Sequence, residues 1–584
     1  MHVGDYDVIV VGAGASGGPL AARLSEDPAR RVLLVEAGPA PETQDGFPRD
    51  LLDAALMTGA LPGHPNNWGF NAHLTPDLPY TVARGKILGG STSLNGTYYI
   101  RGRKQDFDTY AEMGNAEWAY EKVLPYFQML EHDLTFEGQP GHEGKGPVPI
   151  SRVAPHEQTI YTRAFIAACR EAGFGWEEDK NGTGAPGVGL LPMNAVGGIR
   201  MNTGLTYVNP ARSRPNFTVW GDTLARRVIL DGTTVTGLEV GREGREDIVT
   251  APEVVLCAGA FKSPHLLALS GIGPRSELVS AGIPVAVDLP GVGKGFSDHP
   301  DITFNWVPKR RLDDEHLRFG FQAVLNYNSE GSTYDGDLEI LPMMRTMMAM
   351  MGLEQGNRAK SMMDIARRPV AFLRSMRGVS LRRFLQQLRR SNDLAMAIAV
   401  QQAESRGNIR TVSADPLTQP VIDYNYLSDE RDVVRMREVV RMSVKLLHSE
   451  AFKPYFRKTT EIDAETLADD ARLDGWMKSH LATAIHAAGT CKMGDDPAAG
   501  HVVDQFGRVH GVTGLRVADT SILPFTPSRG PAATAMLIGE RVAAFMTRDD
   551  AQNSQPTGSH PREAPGHRTS AAHTRPSAGD RSPR

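Results

Sequence analysis

The sequence predicts an α/β fold that opens on a buried parallel sheet, and three observations predict it. A short β-branched run, Val8-Ile9-Val10-Val11, ends in glycines. A helix-compatible stretch, Pro19 to Leu24, follows at once. A second apolar run, Arg31 to Val35, ends at an acid, Glu36. Short continuous apolar runs bounded by glycine read as strands covered on both faces.

The turn between the first strand and the helix is Gly12-Ala13-Gly14-Ala15-Ser16-Gly17. Strand, glycine turn, helix, strand and terminal acid make a Rossmann dinucleotide fingerprint. Gly12 allows the tight turn, Gly14 lets backbone approach a pyrophosphate, and Gly17 lets the helix pack on the strand. The helix N-terminus, at Ala15 and Ser16, offers unpaired N–H groups to the diphosphate. Glu36 is placed to accept from ribose hydroxyls, and its charge disfavours a 2′-phosphate. The fingerprint alone does not choose NAD over FAD.

Composition narrows the class. The chain has 584 residues with 41% hydrophobic and 22% charged, so it can bury a large core. A net charge of −5 gives no general case for nucleic acid. Three cysteines exclude a disulfide scaffold and suit a reducing compartment. The opening residues lack a signal-peptide pattern and no apolar run could span a bilayer, so a cytoplasmic protein is expected, with peripheral contact at the inner membrane face left open. Cys257 sits in an apolar setting and reads as an inert core thiol.

Three further segments select FAD. They are Ala83-Arg84-Gly85 through Gly89-Gly90-Ser91 to Asn95-Gly96, then Gly259 to Gly273, then His486 to Gly494 with Gly514 to Asp519 following. With Arg101-Gly102, Val123 to Phe127 and Leu289 to Gly293 leading into Asp298-His299-Pro300, they closely resemble the glucose–methanol–choline (GMC) family of FAD-dependent oxidoreductases. The resemblance runs from about Asp5 to Ala544 with motifs in the family's order. It implies that Gly89, Gly90 and Ser91 lie near the hydride-accepting edge of the flavin. It also places Arg84, Asn95, Gly96 and Asp519 in the FAD site, and Ala225 where a backbone meets the adenine. The physics agrees, since a glycine-rich loop brings backbone N–H groups against a flat ring. Ser263-Pro264 is expected to open a helix of the FAD-binding scaffold.

Alcohol oxidation by a flavin needs a base for the hydroxyl proton. Of 17 histidines, His486 matches the family's active-site position. His299 reads as structural. The family's second His or Asn falls on Gly530 here, which leaves His486 alone, or aided by Arg529 or a water. Some members attach FAD through a His that corresponds to Leu94, so non-covalent FAD is expected. No metal ligand set is expected.

The motifs fall near both ends of the chain, so one nucleotide site must collect distant segments. The expected organisation is a Rossmann-type FAD-binding domain (1–155, 212–300 and 484–548) interleaved with an α+β substrate domain built on an antiparallel sheet (156–211 and 301–483). Asn408 to Val412 and Val421 to Tyr424 are expected strands of that sheet. Asp429 to His448 is an expected amphipathic helix burying Val433, Met436, Val440 and Val444. Residues 341–390 hold nine of the 22 methionines, and 345–390 carry 11 basic and two acidic residues. A basic amphipathic profile of this kind suits a membrane or partner surface, and flexible methionines suit an apolar substrate entrance. Residues 549–584 contain no large apolar side chain and are expected to be disordered.

The expected activity is oxidation of an alcohol, with electrons passed to a quinone or redox carrier. The alternatives are an oxidase making hydrogen peroxide, choline dehydrogenase, a lyase or light-driven flavoprotein, and a non-catalytic flavin-binding partner. The ending Ser528-Arg529-Gly530-Pro531 also loosely resembles the dehydrogenases associated with mycofactocin.

Overall fold

A computed structural model describes residues 2–310, 317–352 and 393–553, and in it the predicted opening strands form. Val8–Val11 and Val32–Val35 run parallel, with Val8 opposite Val32. The full sheet has the order Phe217–Trp220, Val32–Val35, Val8–Val11, Glu253–Leu256, Leu515–Val517, and every pair is parallel. One sheet therefore draws strands from the start, the middle and the end of the chain. The two opening strands are sealed on both faces, at 3% exposure or less. That is why they read as continuous apolar runs, and each such side chain contributes about 1.5–3 kcal/mol by burial.

The first helix, Gly17–Leu24, lies against the C-terminal helix, Ala532–Asn553. Gly539 permits the approach, because a Cβ there would stand 2.2 Å from the Ser16 carbonyl oxygen. Glu540 locks the contact by accepting from Arg23 Nε at 2.8 Å and the Tyr207 hydroxyl at 2.7 Å. The boundary expected at 548 falls inside this helix.

The helix expected to begin at Ser263 begins earlier, at Gly259, and runs to Leu269 with Pro264 inside it. A proline has no N–H, so the Ala260 carbonyl four residues back loses its helical donor. Thr490 Oγ1 donates to that carbonyl at 2.7 Å. A C-terminal motif thus completes a helix from the middle of the chain. Thr490→Val should lower stability by about 1–3 kcal/mol through the unpaired carbonyl, while Thr490→Ser keeps the bond. Urea unfolding followed by circular dichroism measures both.

The second large sheet has seven strands. Its path is Phe456–Thr459, Pro300–Pro308, Leu394–Val400, Leu338–Pro342, Ala323–Tyr327, Val188–Leu190, and Leu481–Thr483 also pairs with Pro300–Pro308. The predicted helix forms over Glu430–Leu447, capped by the Asp429 side chain accepting from the Arg431 N–H. Val433, Met436, Val440 and Val444 are buried as the period requires. The two predicted strands also form, at Gly407–Arg410 and Val421–Asp423, but not in the large sheet. They pair with each other and join Lys294–Phe296, Phe70–Thr75 and Leu78–Val82 in a separate five-stranded sheet. Periodicity identifies a strand without recording its partner, and here the partners come from far along the chain.

Only 341–352 of the basic Met-rich stretch 341–390 lies among the described residues. There Met348 and Met350 are buried on a short helix, Met347–Met350. The expectation for 353–390, and that for the tail beyond Asn553, lie outside the described residues. Among the described residues no helix is long and apolar enough to cross a membrane.

Candidate active site

The carboxyl ends of the parallel strands face one cavity of about 530 Å³, whose far wall is the seven-stranded sheet. That is where an open parallel sheet binds its ligand. Gly12, Gly14, Ala15, Ser16, Glu36 and Ala225 line it. So do Arg84, Gly90, Ser91, Asn95 and Gly96 from the second glycine loop, and Asp519 and His486 from the C-terminal motifs.

Two predicted ligand residues stand behind the wall. Gly17 lets the helix close on the turn, since a Cβ there would lie 1.9 Å from the Gly12 carbonyl oxygen. Gly89 has φ of +89° and donates its N–H to the Ala13 carbonyl at 2.8 Å. It therefore ties the two glycine loops together. Gly90 shows the result, because a Cβ there would meet the Gly14 Cα at 2.7 Å.

Glu36 has a larger part than the ribose contact assigned to it. Its carboxylate accepts from the Ala13 N–H at 3.1 Å and the Gly38 N–H at 2.9 Å, pinning the turn. Burial pushes this carboxyl up to about 7. Asp519 accepts from the Gly259 N–H at 2.8 Å, the Ser521 N–H at 2.9 Å and the Ser263 hydroxyl. It joins two motifs that lie 260 residues apart. Arg84 donates Nη1 to the Ile485 carbonyl at 2.7 Å, beside His486, and stacks over Phe261 at 4.8 Å. The opposed glycine backbones, the helix N-terminus and the hydroxyl and amide of Ser91 and Asn95 fit a dinucleotide with a flat ring. Cys257 is buried and its thiol is pushed up by burial, as an inert core thiol should be.

His486 stands on the cavity wall. Its Nδ1 lies 2.9 Å from Nδ1 of His299, and His299 Nε2 lies 3.0 Å from the Pro527 carbonyl oxygen. Burial first, then His299 and Arg84, hold the His486 imidazole well below the ordinary histidine range. It is therefore a neutral ring with a lone pair to offer. A Cβ added at Gly530 would stand 3.5 Å from His486 Cε1 and Nε2, so Gly530 leaves room beside the ring. Arg529 does not fill that room. It is 1% exposed, donates to Asn326 and to Glu177 at 3.0 Å, and does not line the cavity.

Sequence reading missed two acids on the far wall. Asp301 and Glu339 both pair with Ala399, on opposite sides, and all three line the cavity. Adjacent strands lie about 4.8 Å apart, so the two acids stand roughly 10 Å apart at Cα across a small residue. The alternation in Leu394–Val400 was the available signal, with Ala397 and Ala399 on the cavity face and Leu394, Met396, Ile398 and Val400 in the core. Glu339 accepts from the Tyr98 hydroxyl at 3.1 Å and Asn326 Nδ2 at 3.0 Å. Among the described residues neither acid makes an ion pair. Burial, then the charges of Glu339 and Asp298, push the Asp301 carboxyl up to about 7.

A buried cluster elsewhere, Glu131, Asp133 and His142, has ligand-like spacing. Arg101 and Arg152 already pair with its carboxylates, and hydrogen bonds to Asp179 and Glu131 outweigh burial to push His142 up to about 9. A protonated imidazole between arginine-paired carboxylates is a charge network, not a ligand set.

Fold and site together define a nucleotide-dependent oxidoreductase with a histidine on its cavity wall. Residues 6–301 and 403–539 match the N- and C-terminal models of the GMC oxidoreductases. The chain is 33% identical over 551 residues to a GMC-type oxidoreductase of Rhodococcus erythropolis, covering 94% of this chain and all of that one. It is 35% identical over 552 residues to an oxygen-dependent choline dehydrogenase of Rhizobium meliloti, covering 92% and 94%. It superposes on pyridoxine 4-oxidase from Mesorbium loti with a TM-score of 0.80 at 27% identity, covering 93% and 99%. The chain belongs to the GMC oxidoreductase family, and it is an FAD-dependent oxidoreductase acting on CH–OH groups.

Proposed function

We propose that this enzyme oxidises an alcohol whose hydroxyl proton is taken by His486. The observation that carries the reading is a neutral imidazole on the wall of the cavity that also gathers both glycine loops. Gly12, Gly14, Ala15, Ser16 and Glu36 would hold the dinucleotide, Gly90, Ser91, Asn95 and Gly96 the ring system, and Ala225 the adenine. Bound FAD supplies the acceptor for hydride from the carbinol carbon. The protein's own part is to orient the hydroxyl, receive its proton and exclude water with the seven-stranded sheet. Anaerobic titration of the purified flavoprotein with a panel of alcohols tests this, and flavin that no alcohol bleaches would defeat it.

The acid pair favours an alcohol that carries a positive charge, such as choline. A cation between half-buried Asp301 and buried Glu339 would relieve two like charges facing one cavity. The sign of the pH effect follows from Asp301. Its carboxyl is protonated below about 7, so a cation must displace that proton there and none above. The kcat/KM for choline relative to its uncharged isostere 3,3-dimethylbutanol should rise by up to about tenfold per pH unit below 7 and then flatten. A flat ratio across pH 5–9 would remove the cation reading. The uncharged partner cancels the His486 limb.

Reduced flavin is proposed to pass its electrons to a quinone or redox carrier, a reading supported by the basic stretch 345–390. Turnover that consumes oxygen and yields stoichiometric peroxide would make the enzyme an oxidase instead. Leu94 lines the cavity at the position where some members carry the linking histidine. All flavin should therefore enter the supernatant on acid precipitation, and flavin retained in the pellet would show a covalent link.

A further inference from the structure

We infer that His299 is a positioning residue that decides which ring nitrogen of His486 receives the substrate proton. The inference rests on the reading of His486 as the base. A carbonyl oxygen only accepts, so the His299 Nε2 at 3.0 Å from the Pro527 oxygen must carry the hydrogen. A neutral imidazole has one N–H, which leaves His299 Nδ1 as an acceptor. His486 Nδ1, 2.9 Å away, is then the donor. The remaining lone pair of His486 is on Nε2, the atom beside Gly530 at the cavity.

Backbone pairing makes the arrangement rigid. Pro300 pairs with Thr483 in the antiparallel ladder, and the Ala484 N–H donates to the His299 carbonyl at 3.2 Å. On the other side Ser297 and Ala488 exchange N–H···O bonds at 3.0 and 2.8 Å. The two histidines therefore sit on adjacent segments between two fixed pairs of residues. Their rings meet edge to face, with planes at 83°.

The neutral state of His299 follows from its surroundings. It is 1% exposed, and burial pushes it down to about 3. The His299 ring also faces the main chain of Gln401, a second acceptor, and Arg84 is the charged group that acts on the His486 ring beside it. Asp298 Oδ1 accepts the main-chain N–H groups of His299 and His486, each at 2.7 Å. Among the described residues no carboxylate hydrogen-bonds either ring. In a Ser-His-Asp triad the orienting group is an anion that also stabilises the imidazolium. Here a neutral ring fixes the tautomer without adding charge. When the substrate O–H breaks, the proton goes to His486 Nε2. The Nδ1–H bond to His299 then becomes charge-assisted and stronger, and His299 keeps its own proton on Nε2, donated to the Pro527 carbonyl.

Three measurements on the holoenzyme decide the matter. Nitrogen NMR of 15N-histidine-labelled wild type, with His486 assigned by its absence in H486Q, should show Nδ1 protonated. An Nε2-protonated His486 overturns the inference, and this holds even if variants at 299 fold poorly. H299F should retain FAD, slow anaerobic flavin reduction by choline or benzyl alcohol about 10²-fold, and shift the pH limb of that rate. H299N, which restores an acceptor oxygen near the Nδ1 position, should recover at least about tenfold over H299F. A wild-type rate and pH profile in H299F, or H299N no faster than H299F, overturns it. If H486A reduces its flavin normally, the base assignment itself falls. If H486A is inactive and H299F normal, only the positioning role falls.

Discussion

His486→Ala should slow anaerobic flavin reduction by about 10²- to 10⁴-fold while the protein still purifies yellow. The ring is on the cavity wall, but its main-chain N–H carries the structural bond, donating to Asp298 Oδ1 at 2.7 Å. Alanine keeps that bond, so the fold and the flavin site should survive. What is lost is the lone pair that we propose accepts the hydroxyl proton. With the base gone, the rate should rise with pH and with more acidic alcohols, because the alkoxide must now form without help. Stopped-flow bleaching at 450 nm, with flavin content as control, measures the effect. A variant that bleaches at the wild-type rate would mean that the proton leaves by another route.

Gly90→Val should abolish FAD binding and give colourless protein. Two independent reasons act at this position. The residue has φ of +53°, which a β-branched side chain does not adopt without strain. Its Cβ would also sit 2.7 Å from the Gly14 Cα, forcing apart the loops that flank the dinucleotide. Flavin absorbance per polypeptide after gel filtration reads the outcome. Full flavin occupancy in Gly90→Val would show that the site lies elsewhere on the cavity wall. Gly530→Ala is the contrasting case, since its Cβ would make ordinary 3.5 Å contacts with His486 and leave FAD bound.

The legible parts of the site share one property. They are encoded by several neighbouring residues whose spacing reflects a single backbone demand. Gly12, Gly14 and Gly17 announce a turn because a side chain at Gly17 collides with the Gly12 carbonyl five residues back, at 1.9 Å, and Gly12 itself has φ of +100°. His486 is legible through its motif rather than through any local signal of chemistry. Asp301 and Glu339 were not legible, because their relation is a register across three strands whose members lie 38 and 60 residues from each other in sequence. The choice between His486 alone, Arg529 and a water was not legible for the same reason. Gly530, the sequence neighbour of Arg529, lies on the cavity, while the Arg529 guanidinium points to Glu177 and Asn326, which no spacing rule connects to it.

The partition between the two levels follows from the range of the forces. Short-range sterics and hydrogen bonding act within a few residues, so the sequence alone determined the dinucleotide turn, the buried parallel strands, the amphipathic helix at 430–447 and the histidine motif. Only the tertiary structure decided which sheet each strand joins, that Thr490 completes the proline-broken helix, that Asp301 and Glu339 flank Ala399, and that His299 holds His486. Those contacts form between segments that meet only when the core closes, and their geometry is a property of the packing rather than of either segment.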